Sequence, residues 1–259
     1  MLARFVRHEA TLESSRAKQN GLVLRCFASI VKATKPRFKS SERIDRTNAD
    51  KFSERRVELA DAALHTLADL GYARTSLREI AQNTEFSHGV LHYYFKDKFD
   101  LITFCVRQYK AHCVLRYDEI VANAKTADQL KKGFAAGMAQ TLVDEQTLHR
   151  LWYDLRTQSL FEPSLRKDVA EIDHSLERMI WRIVSEHARL SGEKPRVSPA
   201  LAYAIFDGLF QQSLLKLLHG DDSAPKELAT RVRVALGELT LPVAKSSQKQ
   251  PQKRARANA

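Results

Sequence analysis

Ser87 to Lys98 reads S-H-G-V-L-H-Y-Y-F-K-D-K. Four rings stand in a row, His92, Tyr93, Tyr94 and Phe95, behind a glycine and ahead of two lysines that flank an aspartate. A core helix has no use for two tyrosines and two histidines at these positions, and a solvated helix has none for Val90, Leu91 and Phe95. The stretch suits a surface built to approach something. Gly89 lets the backbone come close, Tyr93 and Tyr94 offer hydroxyls, and Lys98 brings a positive charge.

The flanking sequence supplies the frame. Ser53–Leu70 places Val57, Ala60, Ala63, Leu64 and Leu67 on one helical face, and Gly71 reads as its C-terminal stop. Ser76 and Glu79 have capping-box spacing, which predicts a second, short helix from Leu77 to near Asn83. Ser87 caps a third, running to about Tyr94. Asp97, with Asp100 three residues on, starts a fourth that the pattern extends to about Asn123. Two short helices joined by a brief turn and flanked by longer ones predict a helix-turn-helix. The quoted stretch is then the helix that enters the major groove. His88, Gly89, Val90 and His92 face base edges, and Tyr93 and Tyr94 bond phosphate oxygens. Lys98 strengthens the positive end of its helix, where a phosphate belongs.

From Arg55 to Ile102, without a gap, the chain resembles the N-terminal DNA-binding domain of the TetR family of transcriptional regulators. The resemblance rests on helix one, Gly71-Tyr72, the Thr75-Ser76 start of helix two, Ile80-Ala81, Ser87, and the aromatic run ending in Lys98. The form G-V-L-H-Y-Y-F resembles the BetI-like, choline-responsive subset. The resemblance implies an all-α fold: a three-helix DNA-binding domain followed by a helical ligand-binding and dimerisation domain. It implies a cytoplasmic, homodimeric regulator with no cofactor, a repressor released from a pseudo-palindromic double-stranded operator by a small-molecule effector. Carried over by position, Arg78 reads bases beside His88, Gly89 and Val90. Thr75, Ser76, Tyr93, Tyr94 and Lys98 hold the DNA, and His92 stands where the family usually has tyrosine. Glu85 stands where the family usually has glycine. A left-handed residue there costs about 1–2 kcal/mol, and its carboxylate repels DNA. That departure favours the alternative reading, a TetR-like scaffold that acts mainly through protein contacts and binds DNA weakly.

Four regions are expected: a basic extension over 1–50, the helix-turn-helix domain over 51–100, a helical regulatory domain over 101–240, and a basic tail over 241–259. Leu22–Val31 reads as a short helix followed by linker. The first region is either an arm for DNA phosphates or a segment without function. Helices are predicted from Ala127, over 145–161, 163–190 and 199–219, and from Pro225 to about Leu239. Between them, His112, Phe134, Met138, Trp152, Tyr153, Arg156 and Phe206 are candidates for an effector pocket, because aromatic and apolar walls with a few polar groups suit a small ligand. Two or more such rings can box a quaternary ammonium. By the resemblance, 163–190 and 199–219 pair with their twofold mates, with Ile172, Leu176, Met179, Ile183, Ile205, Leu209 and Leu214 as dimer candidates.

Composition narrows the function. Residues 1–50 hold 11 Lys+Arg against 5 Asp+Glu, and 241–259 hold five basic residues and no acid, so the net charge of +11 sits on the two ends. DNA affinity in the balanced middle then requires a local patch. Gly and Pro are sparse, at 9 and 7, and no alternating apolar run predicts strands. Cys26, Cys105 and Cys113 have no metal or redox spacing and read as reduced thiols. His88 and His92 have a spacing that zinc can use, but no third ligand accompanies them. His65, His149, His174 and His187 read as surface or boundary histidines. No nucleophile elbow, P-loop or dinucleotide motif is present, so nothing points to an enzyme. No apolar run reaches membrane-spanning length.

Overall fold

The computed structural model describes residues 40–242, with the backbone alone for 40–49, 65, 68, 69 and 72–74. The predicted helix at Leu22–Val31 and the tail beyond Pro242 lie outside the described residues. Ten helices and one strand pair are described: α1 (Ser40–Arg74), α2 (Leu77–Gln82), α3 (His88–Tyr94), α4 (Lys98–Cys113), α5 (Asp118–Asn123), α6 (Ala127–Asp144), α7 (Gln146–Gln158), α8 (Pro163–Ser191), β1 (Glu193–Pro195), α9 (Pro199–Leu218), α10 (Ala224–Glu238) and β2 (Thr240–Pro242). The all-α reading holds.

The caps foreseen in the head are formed. The Ser76 hydroxyl accepts from the Glu79 amide at 3.2 Å, and the Ser76 amide donates to the Glu79 carboxylate at 2.7 Å. Ser87 accepts from the Val90 amide and Asp97 from the Asp100 amide, opening α3 and α4. Each bond satisfies a helix N–H that has no partner within its own helix. Leu91 and Phe95 are fully buried against α1 and α4, which fixes how α3 lies. The Arg56 guanidinium stands 4.6 Å from the ring centroids of both Phe95 and Phe104 and bonds Asp100 at 2.6 Å, tying α1 to α4.

Four expectations change. The first helix begins at Ser40, within the stretch read as linker, and backbone at Gly71 (φ 75°, ψ 170°) breaks it, as its glycine foretold. The fourth helix ends at Cys113, and a turn separates it from α5. Residues 114–117 carry no Gly or Pro; the break is held because Tyr117 buries its ring and Arg116 reaches across to Thr141 and Glu145. Two short strands do form, antiparallel, with Lys194 opposite Leu241. They join the segment after α8 to the segment after α10, and at three residues each they are too short to show alternation. The turn holding Glu85 has no left-handed residue: among the described residues positive φ occurs only at glycine, so the expected strain is absent. The turn closes instead through the Asn83 amide on the carbonyls of Glu79 and Ile80, and the Phe86 amide on the Thr84 hydroxyl.

One apolar core runs from Leu59 in α1 to Leu239, with Phe95, Phe134, Trp152 and Phe206 among its largest fully buried side chains. Helices α6, α8, α9 and α10 pack on one another, and α1 rests on α4 and α7. No helix among the described residues is long and apolar enough to cross a membrane.

Candidate nucleic-acid interface and regulatory cavity

Helix α3 keeps only Leu91 fully inward; His88, Gly89, His92 and Tyr93 are exposed, Tyr93 at 73%. Arg78 and Ser76 on α2 are exposed beside them. A Cβ added at Gly89 would meet nothing closer than the Ser87 hydroxyl at 4.0 Å, so no atom of the chain needs the missing side chain. The glycine therefore leaves room for something outside. Tyr94 is half-buried, its ring 4.8 Å from Phe52 and 4.9 Å from Tyr93, which steadies both phenols. His88 and His92 are bonded to each other, Nε2 to Nε2 at 3.1 Å.

Two expected contacts are corrected. Thr75 is only 3% exposed, and its hydroxyl donates to the Gly71 carbonyl at 2.6 Å, satisfying an acceptor that the broken helix leaves open. Its hydroxyl is therefore committed within the chain. Val90 is half-buried and packs on the core, so it anchors α3 more than it faces outward.

The second site is a cavity lined by α4 and the turn after it, α6, α7, α8 and α9, with empty space of about 530 Å³, part of it open to solvent. Of the expected pocket residues, Met138, Trp152, Tyr153 and Phe206 line it. Phe134 stands behind the wall, edge-on to Tyr117 at 5.0 Å and to Phe206 at 5.4 Å. His112 does not line it: Lys110 and Cys113 point inward from α4, and a neighbour one residue from Cys113 is turned about 100° away. Arg156 does not line it either, being held at its edge by Asp207 (2.5 Å) and Asp173 (3.3 Å).

The charged lining escaped sequence reading. Arg116 bonds both carboxylate oxygens of Glu145 at 2.6 Å, and Tyr109 donates to the same carboxylate. Tyr153 donates to Asp207 at 3.0 Å and Tyr203 to Asp173 at 2.6 Å. Burial, reinforced by Asp207, holds the Tyr153 phenol far above its ordinary range; burial also pushes Tyr117 up to about 12. Lys110 is 2% exposed, and burial lowers its pKa. His149 and His187, expected near the surface, are 8% and 4% exposed. His149 lines the cavity, where burial and then the charge of Lys110 keep its imidazole well below the usual range.

Cys113, Glu145 and His149 hold donor atoms within 4.8 Å of one another, a grouping that could suggest a metal. The chemistry argues otherwise. Arg116 occupies both oxygens of Glu145 and Lys110 stands 3.5 Å from His149 Nδ1, so a cation would meet two positive neighbours.

The head has a helix-turn-helix geometry and the body holds an internal cavity; comparison with known proteins shows what this combination resembles. Residues 59–103 match the bacterial regulatory proteins, tetR family. The HTH-type transcriptional regulator BetI of Burkholderia thailandensis is 27% identical over 180 residues, covering 68% of this chain and 89% of that protein. BetI of Paraburkholderia phymatum is 27% identical over 200 residues, covering 74% and 95%. Among solved structures, the regulator FadR of Bacillus subtilis, in complex with stearoyl-CoA, superposes with a TM-score of 0.58 at 20% identity, covering 70% of this chain and 96% of that one. A transcriptional regulator from Saccharomonospora viridis, in complex with choline, gives 0.57 at 17% identity, covering 73% and 98%. The head of the chain thus matches the tetR-family DNA-binding segment, and over about 70% of its length the chain is similar to transcriptional regulators of that family.

Proposed function

We propose that the chain is a homodimeric repressor that an effector in the α4–α9 cavity releases from a pseudo-palindromic operator. We divide it functionally at residues 51–100 and 101–240, with α4 shared by both parts. The observation that carries this reading is the course of α4. It opens at Asp97 and Lys98, within four residues of the end of α3, and ends with Lys110 and Cys113 in the cavity wall. At 1.5 Å per residue, Lys98 and Lys110 are about 18 Å apart on one rod. A ligand that moves the cavity end of α4 displaces the head, and it shifts the equilibrium only by its difference in affinity for the two positions.

Arg78, His88, Gly89 and His92 read base edges in this account, and Ser76, Tyr93, Tyr94 and Lys98 hold phosphates. Two such heads about 34–36 Å apart meet successive major grooves. The dimer candidates need revision. Ile172, Leu176, Met179, Ile183 and Leu214 are buried within the chain itself, at 1–7% exposure, and belong to its core. The face left for a second copy lies on α9, where Leu201, Ala204, Leu215 and Leu218 are exposed and Ile205 half-buried. The scaffold alternative loses its conformational argument, since the Glu85 turn needs no left-handed residue.

Footprinting on the DNA flanking the gene, at two salt concentrations, tests the reading. A roughly symmetric protected site is the expected result. Binding without a defined footprint would return the scaffold reading to the front.

A further inference from the structure

The cavity wall contains buried donors that the chain meets weakly or not at all. Lys110 is 2% exposed, yet no carboxylate among the described residues lies within ion-pair distance of its Nζ. Its polar contact is the Nδ1 atom of His149 at 3.5 Å, a marginal hydrogen bond. Rings cover it otherwise, with Nζ 5.1 Å from the Trp152 centroid and 5.2 Å from the Tyr109 centroid. The nearby carboxylates are engaged: Glu145 by Arg116 and Tyr109, Asp207 by Arg156 and Tyr153, Asp173 by Arg156 and Tyr203.

Two further donors share this condition. The buried Nε1 of Trp152 and Nε2 of His149 have no hydrogen-bond partner. A neutral His149 that accepts from Lys110 through Nδ1 carries its proton on Nε2. All three residues line the same cavity, to which Met138, Leu176, Met179, Ile180 and Phe206 contribute apolar surface. Buried donors left unpaired are costly, and a buried ammonium far more so. What the wall lacks is an acceptor with negative charge.

We propose that the cavity takes a small organic carboxylate with an apolar body, its oxygens accepting from Lys110, Trp152 and His149. This rests on reading the cavity as the effector site, and it names the effector's class. A quaternary ammonium is disfavoured by the same geometry. Lys110 already stands over the Trp152 ring, and no carboxylate is left to meet a second cation.

The test uses full-length protein and millimolar benzoate, phenylacetate and octanoate, each beside its neutral amide, with choline as the cationic probe. Thermal unfolding and calorimetric titration are the readouts. At least one carboxylate should raise Tm and bind more tightly than its amide by on the order of tenfold to a hundredfold, the worth of a charge-assisted bond. Lys110→Met should raise the Tm of the unliganded protein, because it removes an unpaired buried charge, and should abolish the carboxylate response. Trp152→Phe keeps a ring but loses the N–H, and should weaken the same carboxylate several-fold. Equal binding of acid and amide, or an unaltered carboxylate response in Lys110→Met, overturns the proposal. So does a Lys110→Met protein that is less stable and still binds, which would make Lys110 structural. Binding of choline or the amides alone removes the anionic class and leaves the effector site standing. Silence from all seven probes removes both.

Discussion

Polar side chains in the head and in the cavity face opposite conditions. On α3, His88, His92 and Tyr93 stand in solvent, where water satisfies them until something displaces it. In the cavity, Lys110, His149 and Trp152 are buried, Lys110 with one marginal hydrogen bond and Trp152 Nε1 and His149 Nε2 with none. The first arrangement costs the fold little and leaves affinity to the partner. The second raises the energy of the empty protein, so the partner's binding relieves a cost already present. Substitutions should therefore behave differently at the two sites: those on the head alter binding and spare stability, and those in the cavity alter both.

The largest effect should fall on the cavity. Glu145→Ala strands Arg116, whose side chain is only 23% exposed, and should cost about 3 kcal/mol of stability, the lower end for breaking a buried pair. Chemical denaturation reads this; a loss below about 1 kcal/mol would place the pair among ordinary surface bridges. On the head, Arg78→Ala should lose about 1–3 kcal/mol of discrimination between the operator and a variant site, with Tm unchanged. Competition binding measures it, and equal loss on both DNAs would make Arg78 a phosphate contact. Lys98→Ala should weaken all sequences alike and lower the salt slope by about one.

Gly89→Ala draws the finest line. The added methyl enters open space, so stability should rise by up to about 1 kcal/mol while operator affinity falls. A variant that gains stability and binds as well as before would mean that the backbone does not approach DNA there.

Legibility followed locality. Ser76 with Glu79, Ser87, and Asp97 with Asp100 are caps within four residues, and the helices they start were readable from the sequence. The close of α4 at Cys113 was not, because it depends on Arg116 reaching α6 and the start of α7, far along the chain. The strand pair joins residues 193–195 to 240–242 and leaves no local mark. Thr75 was read as facing outward because the Gly71 carbonyl that claims its hydroxyl becomes available only when the helix breaks. Charged cavity residues were missed for a related reason: a lysine on a helix reads as solvated. One signal was present. Lys110 lies four residues after Val106 and three before Cys113, on the buried stripe of α4, where a charge is out of place.

The bonded pair His88–His92 has a consequence for what α3 displays. One bond between two Nε2 atoms needs one proton, so in a neutral pair one ring gives and the other receives. The giving ring keeps a bare Nδ1, and the receiving ring must carry its hydrogen there. In a neutral pair the two outer nitrogens are therefore complementary, and exchanging their roles takes two proton moves: the shared proton to the other Nε2, and an Nδ1 proton lost from one ring and gained by the other through solvent. The helix holds a two-letter word that can be read in either order, and under the proposed docking the groove selects the order.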